Sequence, residues 1–340
     1  MRKWLCRNGS LIWVKSLCAG TAYGPRMITL TLNPAVDVAT EAEAVRPTHK
    51  IRTTNEHYDP GGGGINVARI VRKLGGEALA LVLLGGVSGG LLEALLFEAG
   101  IPFRSFPIRG RSRMSLTVHE RRTGLEYRFV AEGPEIRQDE WEPVLAALDE
   151  FPGDWLVASG SLPRGVPADL YAQIARRAAR HGQHVVLDCA GTPLRAALGC
   201  GLTLIKPSLR ELEDLLGREL RDPGTQDAEA LALVHSGAAE IVALTLGAEG
   251  AIIASKAGVF HLPAPAVPVI SSVGAGDSFV AGMTLGLARG ASLEDAAAWG
   301  IAAGSATVSS YGTAGLTRES VEALRGALIS DRISTALRQS

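Results

Sequence analysis

Asp59-Pro60-Gly61-Gly62-Gly63-Gly64-Ile65-Asn66-Val67-Ala68 and Val273-Gly274-Ala275-Gly276-Asp277-Ser278 decide how this chain is read. Each run is a glycine turn that opens directly into a helical pattern. After the first, Val67, Ile70, Val71 and Leu74 fall on one helical face; after the second, Phe279, Val280, Met283 and Leu287 do. A turn of this kind leaves the first backbone N–H groups of the helix without intrahelical partners, at the positive end of the helix dipole. Such a site suits an anion. Two of them, the second with a carboxylate at the helix start, point to phosphoryl transfer onto a hydroxyl.

Between and around these turns, strands alternate with helices. Apolar strand candidates lie at 28–32, 78–84, 155–159, 185–188, 202–206 and 241–245, and helical patterns at 65–74, 91–99, 170–181, 209–216 and 228–235. Short apolar strands separated by helices predict an α/β fold with a mostly parallel sheet covered on both faces. Ligands on such sheets bind at the carboxyl ends of the strands. Two stretches, 37–58 and 103–131, break the alternation and read as hairpin strands of a small separate sheet that could close over a substrate.

Bulk properties narrow the function. The 340 residues are 46% hydrophobic and 20% charged with a net charge of -1, which gives no electrostatic reason to expect nucleic acid or an anionic membrane as partner. No stretch approaches the roughly 18 apolar residues of a membrane span. Cys6, Cys18, Cys189 and Cys200 show no C-x-x-C spacing, and the histidines form no H-E-x-x-H motif, so a cytoplasmic protein without a zinc or disulfide framework is expected. In residues 1–26 the apolar run Leu11-Ile12-Trp13-Val14 is broken by Lys15, too soon for a signal peptide. We expect this extension to stand outside the fold, Met27 to be the natural start, the folded domain to run over 27–330, and 331–340 to be a polar, frayed tail.

A Walker P-loop, G-x-x-x-x-G-K-[ST], is absent, and Gly62-x-Gly64 is a poor dinucleotide fingerprint. Asp277 is the strongest candidate for chemistry. An aspartate capping a helix would explain its position alone, but not the glycines before it. A carboxylate beside an amide-lined anion site can take the proton of an attacking hydroxyl, which contributes roughly 10²–10⁴-fold.

Taken together, five segments resemble the ribokinase-like PfkB family of sugar kinases. They are Thr31-Leu32-Asn33-Pro34-Ala35-Val36-Asp37, the glycine run through Asn66, Ser159-Gly160-Ser161-Leu162-Pro163, Thr245-Leu246-Gly247-Ala248-Glu249-Gly250-Ala251, and the turn ending at Ser278. The resemblance implies a three-layer αβα sandwich with a small β-sheet lid, and ATP and Mg²⁺ as cofactors. Gly63 and Glu126-Tyr127-Arg128-Phe129-Val130 resemble the branch that phosphorylates fructose 6-phosphate; fructose 1-phosphate and tagatose 6-phosphate stay open as alternatives. A sensor that binds sugar phosphate and ATP with little turnover is the reading from another class.

Position by position, the resemblance implies that Asp37, at the end of the first strand, holds sugar hydroxyls together with Gly62, Gly63, Asn66 and Ser161. Arg113 anchors the sugar phosphate, and the lid cations Lys50 and Arg52 approach a substrate phosphate. Lys206, Ser208, Thr245, Gly247 and Gly250 lie on the ATP side. Asp277 is the base, and Gly274, Ala275 and Gly276 form the anion hole. The family usually has Asn-x-x-Glu where this chain has Ser208-Leu209-Arg210-Glu211. Glu211 is retained and could orient magnesium through water, whereas a serine cannot replace the whole amide. The cation loop around Ser271, Val273 and Gly312 differs at Ser310 and Ala314, so a K⁺ requirement stays open. A lid with exposed strand edges implies a homodimer.

Overall fold

The computed structural model describes residues 2–7, 10–15, 27–150, 153–310, 313 and 315–339, with side chains described for 27–150, 153–310, 313 and 315–330. Two sheets organise it. The large one runs, in spatial order, β1 (Arg2–Arg7), β2 (Ser10–Lys15), β7 (Phe103–Pro107), β6 (Ala78–Leu84), β3 (Met27–Thr31), β10 (Trp155–Ser159), β11 (His184–Asp188), β12 (Leu204–Ile205), β13 (Ile241–Thr245), β14 (Ala251–Ser255) and β15 (Gly258–Leu262). From β7 to β13 neighbouring strands are parallel, and antiparallel strands close both edges. The small sheet has the order β5 (Thr53–Gly61), β4 (Ala35–Ala42), β8 (Arg113–Glu120), β9 (Glu126–Val130).

The central strands are apolar on both sides because helices cover both faces. Ala80 and Val82 of β6 point into one core with α1 (Gly63–Lys73), α2 (Gly86–Glu98), α8 (Ala275–Ala288), α9 (Leu293–Val308) and α10 (Arg318–Gln339). Leu81 and Leu83 point into the other with α3 (Gln138–Glu150), α4 (Leu170–Arg180), α5 (Gly191–Ala197), α6 (Leu209–Leu216) and α7 (Pro223–His235). This is the expected αβα sandwich. From β3 the chain steps outward through β6 and β7, then returns to β10 on the other side. The strand order therefore reverses between β3 and β10, where ligands of open α/β sheets bind.

Four expectations change. Phe103–Pro107 belongs to the large sheet beside β6, so the second lid stretch supplies strands only from Arg113 onward. In this strand the Arg104 side chain is buried, pairs with Glu150 at 2.9 Å and lies over Phe106. Residues 1–26 do not all stand apart: β1 and β2 form a hairpin whose Ile12 and Trp13 pair with Arg104 and Phe103. Helix α10 continues to Gln339 through the stretch expected to fray. Asp37 is not at the end of the first strand, which stops at Thr31; it is the third residue of lid strand β4. The β14–β15 hairpin was missed altogether.

Candidate active site

The first glycine run links lid to helix. Gly61 ends β5, and a side chain there would strike the Asp37 carboxylate, 2.0 Å from an ideal Cβ. Gly62 caps α1 at φ 109°, a backbone state that strains any residue with a side chain. A Cβ on Gly63 would lie 2.1 Å from Ser159 Oγ at the end of β10. The run thus lets α1 start at the reversal point, touching the lid on one side and a strand end on the other.

The second run brings α8 to the same point. Gly274, at φ 77°, is the N-cap, and Asp277 stands in the first turn. The Ala275 N–H turns back toward the Ser272 carbonyl at 3.4 Å, so the amides of Gly276 and Asp277 are the ones facing outward. Asn66 Nδ2 donates to Asp277 Oδ2 at 2.8 Å, and Ser159 Oγ lies 3.5 Å from Oδ1. Burial pushes the Asp277 carboxyl up to about 7, with Asp188 and Asp37 adding to the rise and Asn66 and Lys206 opposing it. A carboxylate with this value is half-ionised near neutrality, the range suited to general-base work.

Lys206 follows β12 and is buried, its Nζ 3.2 Å from Asp188 Oδ1. Against the penalty of burial, the Asp188 and Glu211 carboxylates hold its ammonium charged. The same Nζ is 3.5 Å from where a Cβ on Gly276 would be, so this cation sits over the anion turn. Asp188 was not among the expected site residues. A lone acid ending an apolar strand was the available signal. Burial raises its carboxyl, and Lys206 opposes the rise.

Ser208 and Glu211 form a capping box on α6: Glu211 N–H donates to Ser208 Oγ at 3.3 Å, and Ser208 N–H to Glu211 Oε2 at 2.7 Å. Serine caps a helix about as well as asparagine, so the departure at Ser208 leaves the backbone here intact. Thr245 is tied to this corner through its N–H to the Pro207 carbonyl at 2.9 Å. Gly247 and Gly250 follow with positive φ, and a Cβ on Gly250 would lie 2.1 Å from the Leu262 carbonyl.

At the lid, Asp37 faces Asp59 across the β4–β5 pair, with Arg69, Arg113 and Arg128 nearby. Burial raises Asp37 to about 6 despite those cations. Arg113 opens β8 and donates to the carbonyls of Asn33 at 3.1 Å and Ala131 at 3.0 Å, which aims its guanidinium along the lid–domain seam. Ser161 receives a hydrogen bond from Asn33 Nδ2 at 3.2 Å. Lys50 and Arg52 are not brought into this group; they lie exposed between β4 and β5. Gly312 and Ala314 of the expected cation loop lie outside the described residues, while Ser271 is buried and accepts from Val273 N–H at 3.2 Å. Among the described residues no cluster of three or more His, Cys, Asp or Glu forms a metal cage, and no helix is long and apolar enough to cross a membrane.

The chain is similar to known carbohydrate kinases over most of its length. The pfkB family carbohydrate kinase profile matches residues 30–319. An ATP-dependent 6-phosphofructokinase isozyme 2 from Mycobacterium tuberculosis is 45% identical over 303 residues, 88% of each chain. The isozyme 2 of Escherichia coli is 40% identical over 290 residues, 85% of this chain and 94% of that one. A crystal structure of Escherichia coli phosphofructokinase-2 with substrates and products superposes with a TM-score of 0.85 at 38% identity, covering 89% of this chain and 99% of that one. Arabidopsis thaliana ribokinase, at 21% identity and a TM-score of 0.69, shares the fold.

Proposed function

The chain belongs to the pfkB family of carbohydrate kinases, and from that premise we propose that it phosphorylates fructose 6-phosphate with ATP at the free primary hydroxyl. One observation carries the chemistry: the Asp277 carboxylate, raised to about 7, stands at the start of α8 behind its glycine turn and is held by Asn66 at 2.8 Å. Asp277 takes the hydroxyl proton as that oxygen attacks the γ-phosphorus, and the bond to the β–γ bridging oxygen breaks to release ADP. The glycine turn Gly274-Ala275-Gly276 presents the outward-facing amides of Gly276 and Asp277, and these with the Lys206 ammonium stabilise charge on the transferring group. Asp37 with Gly62, Gly63, Asn66 and Ser161 orients the sugar, and Arg113 holds its phosphate with a planar fork. Lys50 and Arg52 reach this site only when the loop between β4 and β5 folds inward over substrate. Ser208, Thr245, Gly247 and Gly250 line the nucleotide side.

The donor set fits magnesium bound mainly through ATP phosphates and water, as this ion prefers, with Glu211 as the nearby carboxylate. That ion supplies neutralisation of phosphate charge. A crystal structure of Escherichia coli phosphofructokinase-2 was obtained in complex with potassium, and the Ser271–Val273 loop is where the same ion would bind here. Ser208, whose departure from the family's asparagine gives the sensor reading some weight, here completes a normal helix cap.

The lid supports a homodimer. Tyr58, Val38, Leu116 and Phe129 stand in register across β5, β4, β8 and β9, forming one apolar row, and Tyr58, Leu116 and Phe129 are exposed. Such a face on a monomer calls for a cover, and a row of this kind is self-complementary across a two-fold axis. Escherichia coli phosphofructokinase-2 has a tetrameric inhibited form.

The test is ADP release by purified protein with Mg²⁺-ATP and each of fructose 6-phosphate, fructose 1-phosphate, tagatose 6-phosphate and no sugar. Fructose 6-phosphate gives the highest kcat/KM. A higher value for either other sugar keeps the chemistry and replaces the substrate, and the absence of sugar-dependent turnover removes the kinase reading.

A further inference from the structure

Arg69 has no role in the chemistry above, yet it is a buried guanidinium at its centre. Its Nη1 donates to Asp59 Oδ1 at 2.8 Å, on the lid strand β5. Its Nη2 donates to Asn66 Oδ1 at 2.8 Å and also bonds the Thr313 hydroxyl. The Thr313 methyl in turn lies 2.4 Å from where a Cβ on Gly274 would be, against the anion turn. One side chain thus joins the lid, the residue that holds the base, and the turn that receives the phosphoryl group.

The consequence lies in donor and acceptor chemistry. An asparagine amide can present either its oxygen or its nitrogen to a neighbour, and only its partners decide which. A guanidinium has donors and no acceptor. The Asn66 atom facing Arg69 must therefore be the oxygen, which leaves the NH₂ group facing Asp277. With that donor, Asp277 is favoured as the ionised, proton-accepting form. With the amide turned over, an oxygen would face Asp277 and favour the protonated acid, which cannot act as base.

We propose that Arg69 is a positioning residue that locks the Asn66 amide with its nitrogen toward Asp277 and so keeps the base ionised. This rests on Asp277 being the base. The groups facing Asp277 are Asn66 on α1, Ser159 on β10, Asp188 on β11, Lys206 after β12 and Asp37 on β4; those facing Arg69 are Asp59, Asp37 and Lys73. Arg69→Lys keeps the positive charge but loses the fork that spans Asp59, Asn66 and Thr313. It separates the orientation of the amide from simple charge.

The test is the pH profile of kcat/KM for the sugar phosphate in wild type, Arg69→Lys, Asn66→Ala and the double variant, with melting temperature and KM for ATP measured alongside. In Arg69→Lys the acid limb moves to higher pH by at least about half a unit, so kcat/KM falls at least ~2.5-fold at pH 6.5 and recovers toward the wild-type value at pH 9. In the Asn66→Ala background the same change moves the limb no further, because Arg69 acts through Asn66. An unmoved limb with a pH-independent loss, or an equal shift in both backgrounds, overturns the proposal. Failure of the base assignment reads out separately, as full turnover by Asp277→Asn. Should Arg69→Lys lose its fold, Asp59→Asn frees one arm of the guanidinium and is measured the same way. It predicts a smaller shift in the same direction, and no shift counts against the proposal.

Discussion

At the scale of single residues, the site holds carboxylates whose burial is costly, and Asp277 shows the conflict most directly. Its folded value of about 7 lies above the ordinary 3.8, so the folded protein holds this proton more tightly than the unfolded chain does. The contribution of Asp277 to stability therefore falls as pH climbs from about 4 to about 7, and stays low above that. Asp277→Asn removes the buried charge while keeping a group that Asn66 can bond. The ligand-free variant should melt higher than wild type at pH 8, by on the order of 2 kcal/mol given that the carboxylate opens onto a cleft. The gain should vanish near pH 4. Calorimetry at the two pH values checks this, and a lower melting temperature at pH 8 would mean that the carboxylate is better compensated than its surroundings indicate. In the proposed role of Asp277 as base, this loss is the usual trade of activity against stability.

At the scale of elements, helix starts carry the site: α1, α6 and α8 all begin at carboxyl ends of the parallel strands. The cap of α6 can be tested alone. Ser208→Ala removes one half of the capping box and should lower stability by about 1 kcal/mol, seen in urea unfolding, with kcat within a few-fold of wild type. A loss of turnover without loss of stability would show instead that the hydroxyl serves nucleotide binding. These helix starts were legible in the sequence because glycines and a following 3.6-residue apolar period are local signals. Asp222-Pro223 is a local signal too: α7 begins there, with Asp222 accepting from Thr225 N–H at 2.8 Å, five residues ahead of the expected start. Arg69 and Asp188 were not legible. Arg69 gains its place by reaching Thr313 across 244 residues, and Asp188 meets Lys206 only once β11 and β12 pair side by side. Strand β7 was misread for a related reason, since the burial of Arg104 depends on Glu150 and Phe106.

At the scale of the whole molecule, a sandwich with a reversal in strand order meets a lid whose free face is apolar. Leu116→Asp places a charge in the middle of the row shared by β5, β4, β8 and β9. Sedimentation should then show monomer where the parent protein is a dimer, and a monomeric parent would remove the lid interface from the account. The alternation of strands and helices made the sandwich legible; the reversal point was not, because strand order depends on pairings that no local pattern encodes. That reversal brings Gly63, Ser159 and Asp277 together from separate parts of the chain. The central claim is that Asp277 is the base at this meeting point. The most direct measurement is single-turnover phosphoryl transfer by Asp277→Asn at saturating Mg²⁺-ATP and fructose 6-phosphate, with nucleotide binding measured by titration. We predict a rate lowered at least ~10²-fold with ATP affinity retained; transfer at the wild-type rate would contradict it.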